Sequence, residues 1–347
     1  MSLFKNFSRE LLHQPHHLSH QQIDIILGED TSEDQFMEKA DGLKMNWEFL
    51  LIMDAFAGAG IDIIPLKGPV LSYRLYSDPS VRSYVDLDFL VDESSMQKAA
   101  KLLESIGYQT YPIGWPSNKR LQRILANHDD QLSFYNPDKE ITVELHWSLL
   151  KSLPVRKSKF RELVNSNTVK IIYEERNILV LAPEMELLYL VVHGGKHAWR
   201  RLKWIVDINA CLSTFEIDWV KFKHLTKVLR AGRMCALCNS VLIKFFPGGP
   251  QLQIQEQCPV WVTKYSLNRI LQEDDIEKSI ISGFLKSILF NWSIFPGIRY
   301  KLNNIKNLLF VKEYFGENRI LSSIPVFYFY GFSRFLIRRV KKKLSSL

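Results

Sequence analysis

The pattern of hydrophobic and polar positions changes at residue 183, and the two parts of the chain predict different structures. Before that point, an apolar run over 61–66 and an alternating run over 83–91 predict two strands, while alternating runs over 131–147 and 169–182 predict two hairpins. After it, apolar residues recur every three or four positions, which predicts helices. The predicted fold class is therefore α+β: a small mixed β-sheet flanked by helices, with a C-terminal α-helical region.

One long helix is predicted before the first strand. Helical spacing over 36–57 relates Phe36, Leu43, Trp47, Leu50, Leu51, Asp54 and Ala57.

These patterns divide the chain into three segments. They are an N-terminal helical or flexible segment (1–35), an α/β core (36–182), and a helical region that closes the cleft (183–347) and ends in a basic aromatic tail (327–347). The first segment is rich in histidine. This composition fits a metal-binding tract, but it is more typical of a solvated segment with one short helix. Its histidines are His13, His16, His17 and His20.

Composition narrows the class of protein. Hydrophobic residues make up 46% of the 347 residues and charged residues 24%, which excludes a disordered chain. A mean hydropathy of −0.09, with no apolar run near ~20 residues, argues against a polytopic membrane protein. Because the first residues lack the apolar stretch of a secretory signal and four cysteines are too few for a disulfide scaffold, we expect a cytoplasmic protein. The net charge of +8 favours anionic partners.

Two strands carry acidic residues that are candidate metal ligands. Asp86 and Asp88 lie two residues apart in the 83–91 strand, so both carboxylates leave the same face and repel each other unless a divalent cation neutralises them. The simpler alternative is a strand with one solvent-facing polar side. Glu144, with His146 on the same face of a second strand, favours the metal site, because two-metal phosphoryl transfer uses three carboxylates. Glu144 could instead pair with a nearby lysine or arginine.

Positive charges lie close to these carboxylates in the sequence. Lys67 and Gly68 form a turn between a strand and a helix, an arrangement that directs backbone N–H groups and one ammonium at a phosphate. Arg82, four residues before Asp86, is a second candidate for neutralising phosphate charge. A purely structural glycine turn is the alternative.

A further polar group follows Pro183. His193, Lys196, His197 and Arg201 are spaced three and four residues apart, so on one helix they share a face. Turned toward the sheet, that face would hold nucleotide phosphates or an acceptor; turned outward, it would be a surface above buried tryptophans. The glutamate of an HExxH motif is absent, which argues against metalloprotease chemistry.

Three segments together resemble the uncharacterised nucleotidyltransferase family, which belongs to the DNA-polymerase-β-like nucleotidyltransferase superfamily. They are IPLKGPVLSYRLYSDPSVRSYVDLDFLVD (64–92), VELHWSLL (143–150) and HGGKHAWRRLKWIVDI (193–208), in the expected order and spacing. The resemblance covers residues 40–230 and implies a polymerase-β-like core.

The resemblance also implies an activity and a set of site residues. The activity is metal-dependent transfer of a nucleoside monophosphate from an NTP to a hydroxyl or similar acceptor on a small molecule, peptide or protein, with release of pyrophosphate. Asp86, Asp88 and Glu144 would be the catalytic residues and would hold Mg²⁺ or Mn²⁺. The expected nucleotide-binding residues are Lys67, Gly68, Arg82, His146, His193, Lys196, His197 and Arg201.

Two features favour alternatives. The Lys-Gly-Pro turn departs from the Gly-Ser turn of the superfamily, which favours a non-catalytic nucleotide-binding or accessory protein with the same fold. The tail over 327–347 interleaves aromatic and basic residues, a pattern typical of a helix on the inner face of a membrane or of a packed helix with a solvated basic end. Outside that tail no basic stripe with stacking aromatics is present, so we expect no specific nucleic acid partner.

Overall fold

The structure of the chain is a computed structural model that describes residues 2–29, 35–149, 155, 157–271, 280–295 and 297–309. The basic tail over 327–347 lies outside the described residues. Within them, no helix has both the length and the apolar character needed to cross a membrane.

The centre of the fold is a five-stranded mixed sheet, which confirms the predicted fold class. Its strands are β1 (Ile63–Pro65), β2 (Asp86–Val91), β3 (Gln109–Tyr111), β4 (Gln131–Asn136) and β5 (Ile141–His146). They lie in the order β1-β2-β5-β4-β3, with β2 and β5 parallel and the other neighbours antiparallel. The second predicted hairpin forms a separate pair, β6 (Thr168–Tyr173) and β7 (Arg176–Leu181).

Helices surround this sheet. Those before β7 are α1 (Arg9–His13), α2 (His20–Leu27), α3 (Gln35–Gly58), α4 (Gly68–Tyr76), α5 (Met96–Ser105), α6 (Lys119–His128) and α7 (Lys157–Asn165). Those after β7 are α8 (Pro183–Lys196), α9 (Leu202–Thr214), α10 (Trp219–Val228), α11 (Gly232–Phe245), α12 (Val260–Leu271), α13 (Ile280–Ile294) and α14 (Ile298–Leu309).

The two faces of the sheet belong to two hydrophobic clusters. On one face, Leu87 and Phe89 pack with Phe49 of α3. On the other face, Ile64 and Leu90 share a cluster with the helices that follow β7, including Leu188 of α8. Since side chains alternate along a strand, Asp86 and Asp88 leave the sheet on the second face, which α8 and α9 cover.

The long helix α3 forms as predicted, but most of the residues that indicated it are on its exposed side, and among them Leu50 is buried. Phe36 is 75% exposed and Trp47 66% exposed, whereas Phe49, Ile52 and Phe56 are buried. Phe49 stacks on Phe89 of β2 with ring centroids 5.6 Å apart. Because α3 carries apolar residues around much of its circumference, their spacing predicts a helix without selecting the side that contacts the sheet.

The single helix face expected for His193, Lys196, His197 and Arg201 does not form, because these residues are divided between two helices and the turn that joins them. Helix α8 ends at Lys196 and α9 begins at Leu202. Between them the chain turns back on itself with positive φ at Ala198 and Trp199, and the Trp199 N–H donates to the Gly194 carbonyl at 3.0 Å. The turn forms because Gly194 leaves room for the fully buried Trp199 ring beside the end of α8.

Replacing Gly194 with alanine is expected to lower the free energy of unfolding by about 2–3 kcal/mol, since a Cβ atom at this position comes within 2.2 Å of Cζ3 of Trp199. Thermal or denaturant unfolding measures the effect. Gly58→Ala is the matched control: it is also a helical glycine, and an added Cβ there meets nothing within 4 Å. Equal stability of the two variants would show that the Trp199 ring does not depend on the space above Gly194.

Candidate active site

All eleven residues that the sequence nominated line one cavity of about 310 Å³ between the sheet and helices α8 and α9. Although α8 and α9 are separate helices, the turn between them keeps their polar residues on the same wall of the cavity. The cavity has an acidic side on the sheet and a basic side on the helices. Its acidic residues are Asp86, Asp88, Asp130 and Glu144, and its lysines and arginines are Lys67, Arg82, Lys196, Arg200, Arg201 and Lys203.

The tightest group on the sheet combines two carboxylates with one imidazole. Parallel pairing of β2 with β5 puts Asp88 directly beside Glu144. Nε2 of His146 lies 2.9 Å from Oδ1 of Asp88 and 3.6 Å from Oε2 of Glu144. Ser133 on β4 donates to the other oxygen of Glu144 at 3.1 Å. One potential ligand atom from each of Asp88, Glu144 and His146 lies within 4.8 Å of the others, and such a donor set fits one divalent cation.

The three carboxylates expected to hold metal lie at different distances from one another, and only Asp88 and Glu144 belong to the tight group. Asp86 lines the cavity on the same face of β2, but it is not part of the group formed by Asp88, Glu144 and His146. His146, expected among the nucleotide-binding residues, contacts these two carboxylates. The reason is the register of β2 and β5, in which Asp86 pairs with Thr142 and not with an acidic residue.

Lys67 reaches the acidic group from the turn before α4. Its Nζ lies 3.3 Å from Oδ2 of Asp88, 3.5 Å from Nε2 of His193 and 5.4 Å from the centre of the Tyr189 ring. Lys67 and Gly68 both have positive φ, 123° and 62°. This backbone conformation, in which glycine is favoured, lets the ammonium turn inward at the start of the helix.

The charges of this group depend on one another. Burial opposes ionisation of Asp88, but the Lys67 ammonium and the hydrogen bond from His146 hold the pKa of that carboxyl well below its ordinary value. Burial likewise disfavours the imidazolium form of His146, yet its hydrogen bonds to Asp88 and Glu144 raise its pKa to about 9. At neutral pH, Asp88 is therefore an anion between two cations. Burial, followed by the charge of Asp88, raises the pKa of Asp86.

Arg82 has a partner other than a phosphate. Its Nε lies 2.9 and 3.0 Å from the two carboxylate oxygens of Asp207 on α9, and NH2 lies 2.9 Å from one of them. Both side chains are almost completely buried. Paired in this way, Arg82 ties the loop before β2 to α9, so it fixes the distance between the acidic strand and the basic helices.

Burial favours the uncharged form of two histidines, His193 in α8 and His197 in the turn that follows it. The rings of His193 and His197 pack on Trp204 with centroids 5.5 and 5.3 Å away. Burial, reinforced by the Lys67 charge, lowers the pKa of His193 well below its ordinary value, and burial together with Lys196 lowers that of His197 to about 3. These two rings therefore supply hydrogen-bonding nitrogens to the cavity without adding charge.

Several cavity residues carried no clear signal in the sequence. Lys203 is buried in an apolar helix, and its Nζ donates to the Ser83 carbonyl at 2.8 Å. His17 comes from the N-terminal segment, where the solvated interpretation gave no reason to place it in a cleft. Tyr189 lies one helical turn before His193, on the same side of α8, and this spacing is the one signal that could have identified it.

A larger cavity of about 690 Å³ opens beyond the ends of β2 and β5. Its lining includes Leu90, Trp147, Phe160 and Arg161, and none of the residues nominated from the sequence. It has charged residues of its own, and these form ion pairs: Lys157 with Glu93 at 2.7 Å and Arg161 with Asp92 at 2.6 Å.

One family model and two solved structures are similar to this chain. The sequence model of the uncharacterised nucleotidyltransferase family matches residues 16–247, a range that contains every nominated residue. Among solved structures, a lincosamide antibiotic adenylyltransferase with bound lincomycin is similar at 18% identity and a TM-score of 0.34, over 48% of this chain and 96% of that chain. An antigenic nucleotidyltransferase-like protein from Paracoccidioides brasiliensis is similar at 16% identity and a TM-score of 0.31, over 50% of this chain and 77% of that chain. No curated protein matches significantly. The family match confirms the resemblance seen in the sequence.

Proposed function

The chain belongs to the uncharacterised nucleotidyltransferase family, and on this premise we propose that the cavity transfers a nucleoside monophosphate from an NTP to a hydroxyl or similar acceptor with the help of Mg²⁺ or Mn²⁺. The observation that carries the proposal is the meeting, in one cavity, of the Asp88, Glu144 and His146 group with a wall of lysines and arginines. The acceptor is a small molecule, peptide or protein.

The acidic side is suited to a cation. Asp88 and Glu144 offer carboxylate oxygens and His146 offers a nitrogen, a mixed set that accommodates Mn²⁺ at least as well as Mg²⁺. When bound, such a cation supplies charge that polarises a phosphate and lowers the pKa of an acceptor hydroxyl. His146 must lose its proton to become a ligand, so binding of a cation through this ring releases a proton.

The basic side is suited to a triphosphate. Lys67, Lys196 and Arg201 face the same cavity as the carboxylates and can neutralise phosphate oxygens, while His193 and His197 are available as uncharged hydrogen-bonding groups. With a cation on Asp88, the Lys67 ammonium is free to turn from that carboxylate to a phosphate. Lys67 therefore has two alternating partners, the Asp88 carboxylate without the cation and a phosphate with it.

The transfer itself needs a proton acceptor and a leaving group. The acceptor oxygen forms a bond to the α-phosphorus as the bond from that atom to the bridging oxygen breaks, and pyrophosphate carries away the electron pair. Asp86 is the candidate base for the acceptor proton, because its raised pKa makes it a stronger base than an ordinary aspartate and it lies beside the cation group without being part of it.

A second candidate function is nucleotide binding without transfer. The observation that favours it is the contact of Asp88 with both Lys67 and His146, which already balances the charge a cation would otherwise balance. This candidate requires nucleotide binding that does not depend on a divalent cation. The family-based proposal requires binding that does.

Calorimetry with non-hydrolysable analogues of ATP, GTP, CTP and UTP separates the two candidates. We expect binding of at least one analogue with Mg²⁺ or Mn²⁺, and its loss in the Asp86→Asn, Asp88→Asn double variant. Asp138→Asn, in the exposed turn between β4 and β5, is the matched control and should bind as the unmodified protein does. Equal binding with and without divalent cation would favour the second candidate, and no binding of any analogue would contradict both.

Nucleotide binding near pH 8 is expected to include proton uptake by Lys203, which is counted separately from the proton that His146 releases when a cation binds. Burial, followed by the charge of Arg82, lowers the pKa of Lys203 to about 7, so this amine is mostly neutral at about pH 8 and mostly charged at about pH 6. Phosphates in the cavity favour the charged form and raise that pKa, which makes proton uptake larger at the higher pH.

Calorimetry in buffers of different ionisation enthalpy measures this uptake. Lys203→Met, which keeps the shape of the buried chain, is expected to remove the uptake at the higher pH. The same uptake in the variant would assign the proton to another group.

A further inference from the structure

A second cluster of metal-ligating side chains lies outside the proposed active site, where three helices meet. His13 is the last residue of α1, His20 the first residue of α2, and Glu38 lies in the first turn of α3. One potential ligand atom from each lies within 4.8 Å of the others. The two imidazole rings are stacked with centroids 4.4 Å apart.

The contacts around these side chains hold them in place. Nδ1 of His13 lies 3.0 Å from the Leu18 carbonyl and 3.3 Å from Oε1 of Glu38. The other oxygen of Glu38 accepts a 2.8 Å hydrogen bond from the backbone N–H of His20. A hydrogen bond from one ring nitrogen to a carbonyl fixes the ring and leaves the second nitrogen as an electron-pair donor, which is how metal-binding histidines are oriented.

One atom of the cluster has no partner. Nδ1 of His20 is buried and makes no hydrogen bond within the described part of the chain. A buried polar atom without a partner is rare because it loses its hydration without compensation, and a bound ion is one way in which it is satisfied. Ordinary pairing explains Glu38, but it does not explain this nitrogen.

The chemistry of the three groups selects a class of ion. Two imidazoles and one carboxylate are the ligands of zinc sites that keep one position for water, whereas Mg²⁺ and Ca²⁺ prefer oxygen ligands alone. Such a set also binds Co²⁺, which is therefore a usable probe.

Two residues of the cluster, His13 and His20, are the ends of a short segment that reaches the proposed active site. Between His13 and His20, His17 lines the cavity and the buried His16 contacts the start of α9. Nδ1 of His16 accepts from the backbone N–H of Leu202 at 3.4 Å, and its carbonyl accepts from that of Lys203 at 3.4 Å. An ion that joins residues 13 and 20 closes this segment into a loop and fixes it against α3.

We propose that His13, His20 and Glu38 bind Zn²⁺ or a similar transition-metal ion, and that this ion holds the 13–20 segment against the wall of the cavity. The site is separate from the Asp88, Glu144 and His146 group and uses none of its residues. The inference does not depend on the reaction at the other site.

Zinc binding is measured in the full chain with Asp88→Asn and Glu144→Gln, which remove the ligands of the other group. In this background we expect binding of one Zn²⁺ in competition with a chromophoric chelator, and Co²⁺ absorption characteristic of a tetrahedral site with nitrogen and oxygen ligands. Adding His13→Gln and His20→Gln should weaken zinc binding by at least about 100-fold and remove the Co²⁺ signal. His224→Gln, at an exposed histidine of α10, is the matched control and should change neither.

A second variant keeps the test decisive if the histidine double variant does not fold. Glu38→Gln alters one partly exposed side chain and should also weaken zinc binding. Absence of zinc binding in the background protein, or undiminished affinity in Glu38→Gln or in a folded double variant, would overturn the proposal and leave the cluster as a hydrogen-bonded cap between three helices.

Discussion

Replacing Asp88 with asparagine is expected to reduce pyrophosphate release by at least about 1000-fold, equivalent to about 4 kcal/mol of transition-state stabilisation. Asp88 receives the two closest cationic contacts of the acidic group, from His146 at 2.9 Å and from Lys67 at 3.3 Å, and it lies beside Glu144 in the parallel pair. The amide removes the negative charge that these cations and a metal ion require, while it keeps the size of the side chain. Release of pyrophosphate from each NTP, with a small-molecule extract as the source of acceptors, measures the effect.

The control for this change is Asp138→Asn, which alters an aspartate in the exposed turn of the same sheet. It should leave pyrophosphate release unchanged. Full turnover in Asp88→Asn with Mg²⁺ or Mn²⁺ would end the proposed mechanism, because Asp88 is the carboxylate that contacts both Lys67 and His146 and belongs to the proposed cation group.

The second large effect is expected on stability, from Arg82→Met. Removing the guanidinium leaves the completely buried carboxylate of Asp207 without its partner, which should lower the free energy of unfolding by about 3–5 kcal/mol. The double variant Arg82→Met, Asp207→Leu removes both charges and should recover much of that loss. Denaturant unfolding of the single and double variants gives the comparison.

An exposed ion pair provides the control for this second effect. Arg176 forms two hydrogen bonds to Asp54 at 2.7 Å, but both side chains face solvent. Arg176→Met is therefore expected to change the free energy of unfolding by less than about 1 kcal/mol. Equal losses at the two positions would mean that burial does not decide the strength of the Arg82 pair.

The acidic side of the cavity could be predicted from the sequence because it depends on local alternation. A strand exposes every second residue on one face, so the positions of Asp86, Asp88, Glu144 and His146 follow once the two strands are recognised. The register between the strands could not be read in this way. It is set by packing of the whole sheet, and it decides that Asp88, and not Asp86, lies beside Glu144.

The side of the cavity formed by α8 and α9 was harder to predict, because its geometry depends on how the Trp199 ring packs in the turn between these helices. The spacing from His193 to Arg201 is consistent with one helix, yet the buried ring of Trp199 folds over Gly194 and ends α8. The role of Arg82 was hard to predict because its partner is distant in the sequence. Its charge suggested a phosphate ligand, but its partner Asp207 is 125 positions away and belongs to a helix whose position only the fold determines.

The N-terminal histidines are more buried and make more contacts than their sequence composition indicated. Their composition suggested a solvated segment, and composition alone does not reveal that His16 is fully buried against α9 or that His13 and His20 meet Glu38. The domain boundaries predicted at residues 35 and 182 remain predictions. The N-terminal residues and the helices after β7 do share one hydrophobic cluster with part of the sheet.

The position of a bound metal ion tests the proposed active site most directly. Crystals grown with Mn²⁺ and a non-hydrolysable NTP analogue, measured at a wavelength where manganese scatters anomalously, locate the ion without assumptions about the acceptor. We expect an anomalous peak at the carboxylates of Asp88 and Glu144, with the phosphates of the analogue between that ion and Lys67. An analogue bound in the cavity with no manganese at these carboxylates would contradict this expectation.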